Sequence, residues 1–149
     1  MSPQQLDELS GAIEAWLERQ AAENPAVRAV QRDGAKRRWV LRLAGEDKAT
    51  FAVWLNLEQR SLFYETYVLP APEENEAEFY AHLLRRNAKL RGASFAIGAE
   101  DAVYLVGQVP NASVDDAELD RILGTLYEAV ERCFRAALRI GFAGRLGYL

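Results

Sequence analysis

Apolar and polar residues alternate along three neighbouring stretches of this chain, at 38–43, 51–57 and 62–68, and this pattern leaves few choices of fold. Alternation is typical of a strand with one face toward a core and one face away from it. Only short turn segments separate the three stretches, and strands joined in this way pair antiparallel. The sequence therefore predicts an antiparallel meander. It leaves open a further short strand at 28–32, before the turn dipeptide Asp33-Gly34.

Outside the meander, apolar residues recur at helical spacing. Capping residues and helix breakers then predict three helices, which run from Ser2-Pro3 to Asn24-Pro25, from 73–76 to Gly92, and from 113–116 to about Ile140 with Gly141 as C-cap. Two more alternating stretches, turned near 98–101, predict a second hairpin. The predicted class is α+β, an antiparallel sheet with three helices in the order α-β-β-β-α-β-β-α.

Length and composition predict a single α+β domain. The chain has 149 residues, of which 50% are hydrophobic and 27% charged, as in ordinary globular proteins. We expect this domain to span 1–140, followed by a glycine-rich C-terminal tail at 141–149 that is either a frayed end or a short adhesive arm. Because no apolar run could cross a bilayer and the first residues do not resemble a secretory signal, we expect a cytoplasmic protein without membrane contacts.

The sequence contains no recognisable catalytic, metal-binding or cofactor-binding motif. His82 is the only histidine, and Glu78 one helical turn before it predicts a surface ion pair in preference to acid–base chemistry or a metal site. Cys133, the only cysteine, falls on an apolar helix side, which predicts a packed and unreactive thiol. The acidic clusters at 73–78 and 115–120 occupy first helical turns, where carboxylates complement the helix dipole. We therefore expect no enzyme activity, no metal and no cofactor.

Nucleic acid is an unfavourable partner for this chain, because its net charge is −4 and such binding depends on neutralising phosphates. The best candidate segment, 36–39, combines cations with the ring of Trp39. That ring belongs to the inward set of its strand, so we expect it in the core. Two more function classes stay open: an enzyme of unrecognised type, with a deep pocket around His82 or the clustered carboxylates, and a small-molecule sensor with an enclosed apolar cavity.

One face of the predicted sheet is rich in aromatic and β-branched residues. If Trp39, Leu41 and Leu43 face the helices, the opposite face carries the partner-binding candidates Val40, Trp54, Phe63, Tyr67, Tyr104 and Val106. A sheet face open to water normally carries polar residues, so this face is predicted to bind another polypeptide or a second copy of the chain. The alternative is that a helix covers it.

The last predicted helix carries apolar residues around most of its circumference, and its polar residues form one narrow stripe. A helix at a protein surface normally buries one side only. We expect this helix to pack on both the sheet and the first helix. The alternative is that it also lines a subunit interface.

Five segments between Trp39 and Phe142 carry a family resemblance, at 67–75, 83–87, 95–97, 103–110 and 118–120. With them the chain resembles the YbjN-like family of bacterial sensory transduction regulators. Asn87 lies in one of these segments, on the apolar side of the second predicted helix. Because an amide there needs hydrogen-bond partners, we predict that Asn87 is a buried anchor for neighbouring backbone and not a catalyst.

The YbjN-like family is similar in fold to the class I chaperones of type III secretion, with the order helix, three strands, helix, two strands, helix. Those chaperones are small, usually acidic and dimeric, and they bind extended polypeptide. The resemblance therefore implies a non-enzymatic protein- or peptide-binding module, chaperone-like or regulatory, that acts as a homodimer. Fold alone does not fix function, so these implications are expectations.

Overall fold

The computed structural model describes residues 1–146, so the end of the predicted tail, 147–149, lies outside the described residues. The helices are α1 (Pro3–Glu23), α2 (Glu76–Asn87), α3 (Asp116–Gly141) and the short α4 (Ala143–Leu146). The strands are β1 (Val27–Asp33), β2 (Arg38–Ala44), β3 (Thr50–Leu57), β4 (Ser61–Leu69), β5 (Ser94–Ile97) and β6 (Val103–Pro110).

The six strands form one antiparallel sheet in the order β1-β2-β3-β4-β6-β5. The predicted meander is β2-β3-β4, and the predicted class is confirmed, with α4 as an addition. The further strand that the sequence left open exists as β1, which pairs with β2 and forms one edge of the sheet. Strand β5 forms the other edge. The connection from β1 to β2 is a loop at 34–37 that includes a short 3-10 turn and the left-handed residue Arg37, in place of a tight two-residue turn.

The helices lie on one face of the sheet, because alternate strand residues supply the apolar surface that the helices cover. Trp39, Leu55 and Leu105 are almost fully buried on this face, and they belong to one core together with Ile13 of α1 and Leu126 of α3. The indole of Trp39 donates a hydrogen bond from Nε1 to Glu14 at 2.6 Å. Trp39 is thus a core residue, as its alternation predicted.

Helix α3 is covered within the single chain. Its residues Leu119, Ile122, Val130 and Ala137 are at most 2% exposed, because α3 contacts α1, α2 and the sheet. This agrees with the expectation that α3 packs on several neighbours. It leaves no broad apolar side of α3 for a subunit interface.

The caps of α3 are shifted by one or two residues from the predicted positions. The N-cap is Asp115, whose carboxylate accepts the N–H of Glu118 at 2.8 Å, because Ser113 is part of a preceding 3-10 turn. Gly141 is the last helical residue and not the C-cap, a position that Phe142 takes. A glycine is needed at 141 for packing, since a Cβ there would lie 2.7 Å from the ring of Phe79.

Helix α2 is shorter than predicted, because it ends at Asn87 and not at Gly92. Gly92, with φ of +76°, lies in the loop between α2 and β5, where glycine adopts the left-handed backbone most easily. Helical spacing assigns Leu84 to the apolar side of this helix, yet it is 67% exposed. Leu83 is the neighbour that enters the core, at 4% exposed.

Candidate protein-binding surface

The six predicted partner-binding residues share one face of the sheet, named here the open face: Val40, Trp54, Phe63, Tyr67, Tyr104 and Val106. Strand pairing places Val40 opposite Trp54, and Tyr67 opposite Tyr104. Glu65 lies between Trp54 and Val106 in the same cross-strand row. The register therefore brings residues of four strands together on one surface.

The aromatic side chains of the open face are accessible to solvent. Trp54 is 46% exposed, Tyr67 41% and Phe63 37%, so no helix of the described chain covers them. Tyr104 and Val106 are half-buried. Val40 is different, because it is only 5% exposed and offers little area to a partner. Large aromatic side chains on an uncovered face are typical of interaction surfaces.

Polar groups surround these rings. A shallow depression of ≈ 550 Å³ lies between Trp54 and Phe63, with Arg38 and Glu58 among the residues that line it. This depression has both charge signs at its rim and apolar rings in its floor. Such a surface can accept apolar side chains of a polypeptide while its rim pairs with the polypeptide's polar groups.

The rings at the other end of the open face are held in place by their neighbours. Tyr67 and Tyr104 pack edge to face with ring centroids 5.6 Å apart, and the ammonium of Lys48 lies 5.6 Å from the Tyr67 ring. Burial raises the pKa of the Tyr67 phenol, with smaller contributions from Tyr104 and Glu100, so the phenol stays neutral and can donate a hydrogen bond. Burial also lowers the pKa of Lys48.

Among residues 1–146, neither Cys133 nor His82 is hydrogen-bonded or ion-paired with another side chain. Cys133 is 1% exposed, which confirms a packed cysteine, and burial raises the pKa of its thiol to about 12, which disfavours the reactive thiolate. His82 forms no ion pair with Glu78 among residues 1–146, so that prediction is wrong. Instead Nε2 of His82 is buried without a hydrogen-bond partner, and burial, followed by the charges of Arg86 and Arg85, lowers the pKa of the imidazole.

The part of the chain that the structure describes shows no group of three or more His, Cys, Asp or Glu side chains arranged to hold a metal ion. Across the same residues, no helix combines the length and the apolar character that crossing a membrane requires. In the basic segment 36–39, Arg37 pairs with Asp7 at 2.8 Å, and the Trp39 ring is buried and cannot stack on a base.

Sequence reasoning missed a second exposed apolar patch, named here the α2–β5 patch. Leu84 and Ile97 are 67% and 57% exposed, and with Tyr80 they border a groove of ≈ 260 Å³ next to the sheet edge. No pattern in the sequence indicated this patch, since successive helix residues point only about 100° apart and the adjacent pairs Trp16-Leu17 and Ile122-Leu123 are both buried in the core.

Asn87 fixes the strand beside this patch. Its Oδ1 accepts the N–H of Phe95 at 2.6 Å, and its Nδ2 donates to the carbonyl of Phe95 at 3.2 Å. These two bonds confirm that Asn87 is a backbone anchor. They also satisfy the outward N–H and C=O of an edge strand, which would otherwise be free to pair with another strand.

Comparison with known proteins gives both a family and a fold. The family model described as "Putative bacterial sensory transduction regulator" (YbjN) matches residues 10–139. An uncharacterized protein of Mycobacterium tuberculosis is 37% identical over 109 residues, which cover 73% of this chain and 60% of that protein. An uncharacterized protein of Mycobacterium leprae is 38% identical over 105 residues, which cover 70% of this chain and 57% of that protein. The chain therefore spans about 60% of the length of the curated relatives it matches.

Three solved structures share the fold. A chain of the ExsC–ExsE complex matches with a TM-score of 0.56 and 18% identity, covering 85% of this chain and 94% of that one. A chain of the heterodimeric ExoU–SpcU complex, from the type III secretion system of Pseudomonas aeruginosa, matches with a TM-score of 0.56 and 14% identity. The match covers 83% of this chain and 95% of that one. A chain of the HopA1–SchA chaperone–effector complex matches with a TM-score of 0.50 and 16% identity, and the match covers 89% of this chain and 91% of that one. At these identities the likeness concerns the fold alone.

Proposed function

Because this chain belongs to the YbjN family, we propose that it is a non-enzymatic protein-binding module, chaperone-like or regulatory, that binds another polypeptide on its open face. One observation supports this most strongly: Trp54, Phe63 and Tyr67 are each more than a third exposed on a sheet face without a covering helix. The fold likeness to chains from complexes of two different proteins agrees with this role. We also propose residence in the cytoplasm, where a lone thiol such as Cys133 stays reduced.

The open face favours a polypeptide over a small molecule. The depression between Trp54 and Phe63 is open to solvent, whereas small-molecule sites enclose most of the ligand. Flat surfaces with a few aromatic anchors and a polar rim are typical of protein interfaces. The ligand we propose is a segment that places apolar side chains on Trp54 and Phe63 and its own charges near Arg38 and Glu58.

We further propose that the protein is a homodimer and that the two copies meet at the α2–β5 patch. Helix α2 has Glu76 and Glu78 in its first turn and Arg85 in its last, so an antiparallel copy would place opposite charges side by side. Leu84, at the centre of this contact, would bury the exposed part of its side chain. The open face would then stay free for the partner.

Capture from lysate of the native host tests the polypeptide role. Wild type, Trp54→Glu and Leu84→Glu are immobilised in parallel, and the bound proteins are identified by mass spectrometry. We expect specific partners on wild type and on Leu84→Glu, and loss of those partners on Trp54→Glu. Recovery of the same proteins by all three variants would contradict a role for the open face.

Sedimentation velocity tests the dimer separately. We expect Leu84→Glu to convert a dimer into a folded monomer, because a carboxylate would be buried without a partner at the contact. Trp54→Glu should leave the dimer intact. A wild-type monomer at all concentrations would disprove the dimer and leave the polypeptide role standing.

A further inference from the structure

A second surface feature lies in the helical layer, away from the open face. It is a pocket of ≈ 260 Å³ between the end of α2, the following loop and the middle of α3. Its lining residues are Arg86, Lys89, Leu90, Arg91, Phe95, Thr125, Glu128, Ala129 and Arg132. We name it the basic pocket.

The basic pocket is positively charged in a chain that is negatively charged as a whole. Four cations and one carboxylate line it, although the chain has 18 basic and 22 acidic residues. Arg132 pairs with Glu128 at 2.6 Å. Arg86, Lys89 and Arg91 form no ion pair with any residue from 1 to 146. Three uncompensated cations around one small cavity favour an anionic ligand.

Hydrogen bonds to the loop backbone shape the basic pocket before any ligand arrives. The phenol of Tyr64 donates to the carbonyl of Gly92 at 2.5 Å, and Arg121 Nη1 donates to the carbonyl of Arg91 at 3.3 Å. The N–H of Lys89 donates to the carbonyl of Arg86 at 3.0 Å. The backbone is therefore fixed while the cationic side chains remain available, and a preformed site loses less entropy on binding.

The apolar part of the lining narrows the choice of ligand. Phe95 and Ala129 are each only 7% exposed, whereas Leu90 is half-buried, so a small apolar group can contact Leu90. We propose that the basic pocket binds an acidic segment of a polypeptide, with carboxylates at Arg86, Lys89 and Arg91 and an adjacent apolar side chain on Leu90. A nucleic acid would need a longer cationic track and would gain little from the contact with Leu90.

The basic pocket is distinct from both surfaces of the proposed function. Arg86 and Leu84 are two residues apart on α2 and therefore point about 200° apart around the helix, so the cations of the pocket point away from Leu84, although Phe95 lines both cavities. The open face is on the other side of the sheet. A single long partner could reach more than one of these surfaces, but each can be disabled alone.

Fluorescence anisotropy with defined probes tests the inference on the full chain. The probe is a short fluorescein-labelled peptide of alternating Glu and Leu, and its control has Gln in place of each Glu. We expect the acidic peptide to bind, with an affinity that falls as salt increases, and the Gln peptide to bind at least roughly tenfold more weakly, because charge-assisted contacts are lost. Equal binding of the two peptides would overturn the proposal.

Variants locate the probe. We expect Arg86→Gln/Lys89→Gln to weaken binding of the acidic peptide roughly tenfold or more, because two charge-assisted contacts are removed. Arg28→Gln/Arg60→Gln changes the net charge equally on exposed residues outside the pocket and should retain the affinity. If both double variants weaken binding alike, the effect is one of net charge and the pocket is not the site.

Two further measurements complete the test. Thr125→Glu places a carboxylate in the basic pocket without removing a cation. We expect it to weaken binding of the acidic peptide, because the new carboxylate pairs with the cations of the pocket. We expect Trp54→Glu to bind the acidic peptide as wild type does. If Trp54→Glu no longer binds the peptide, the peptide's site is the open face, which would overturn the basic pocket and leave the proposed function intact. Tighter binding of a single-stranded oligonucleotide than of the acidic peptide would also overturn the inference.

Discussion

Trp54→Ala provides a quantitative test of the open face. The side chain is 46% exposed, and a tryptophan presents roughly 250 Å² in all, so a partner that covers it buries about 115 Å². At about 25 cal/mol per Å² this area contributes about 3 kcal/mol to binding, or about 100-fold in Kd. The monomer should remain folded, because the ring lies outside the core. The substitution should lower the free energy of unfolding by roughly 1 kcal/mol, through reduced strand propensity and lost contacts with neighbouring residues.

Intrinsic fluorescence makes this prediction directly measurable. The chain has three tryptophans, of which Trp16 and Trp39 are 2% and 0% exposed, so Trp54 is the ring that acrylamide can reach. A captured partner should shift the Trp54 emission to shorter wavelength and protect it from quenching, and Trp54→Ala should raise Kd about 100-fold. Leu84→Ala is the matched control, since it removes an exposed apolar side chain from another surface. A folded Trp54→Ala protein with Kd within about threefold of wild type would refute the reasoning.

Three further predictions concern the interior. Asn87→Ala should lower the free energy of unfolding by about 1–3 kcal/mol in chemical denaturation, because two backbone groups of Phe95 lose their partner, whereas an unchanged midpoint would contradict the anchor role. The pKa of folded His82 is below the unfolded value, so the unfolded state binds the proton more readily. Stability should therefore decline as pH falls through about 6.5, and His82→Gln should flatten that decline in thermal melts at several pH values. Cys133, with a thiol pKa of about 12, should react with Ellman's reagent only as fast as the protein opens, and rapid labelling of the native protein would contradict its burial.

Local sequence patterns were sufficient for most of the fold. Alternation at 38–43, 51–57 and 62–68 corresponds to β2, β3 and β4, since a strand's two faces follow directly from a period of two. The first helix was predicted to the residue at its start, because Ser2 as N-cap and Pro3 at the first helical position are purely local signals. Asn87 could likewise be identified as an anchor from its position alone.

Predictions that depended on competing local signals were less secure. Ser113 and Asp115 are both good N-caps, and the 3-10 turn at Asn111–Ser113 decided in favour of Asp115. The surface ion pair of His82 was also wrong, because the packing of α2 leaves Nε2 of this imidazole buried and without a partner. In each case the local pattern allowed more than one outcome.

By itself, the sequence determined which residues share a face, because side-chain direction in strands and helices is fixed by the backbone period. Only the tertiary structure decided which face is covered. All three long helices pack on one side of the sheet, so Trp54 and Phe63 stay exposed, and no periodicity could show this. The basic pocket has the same origin: Arg86 and Arg132 are far apart in the chain, and the packing of α2 on α3 brings them to one cavity. Layer packing is a property of the whole chain, since it depends on how much apolar surface each possible contact buries.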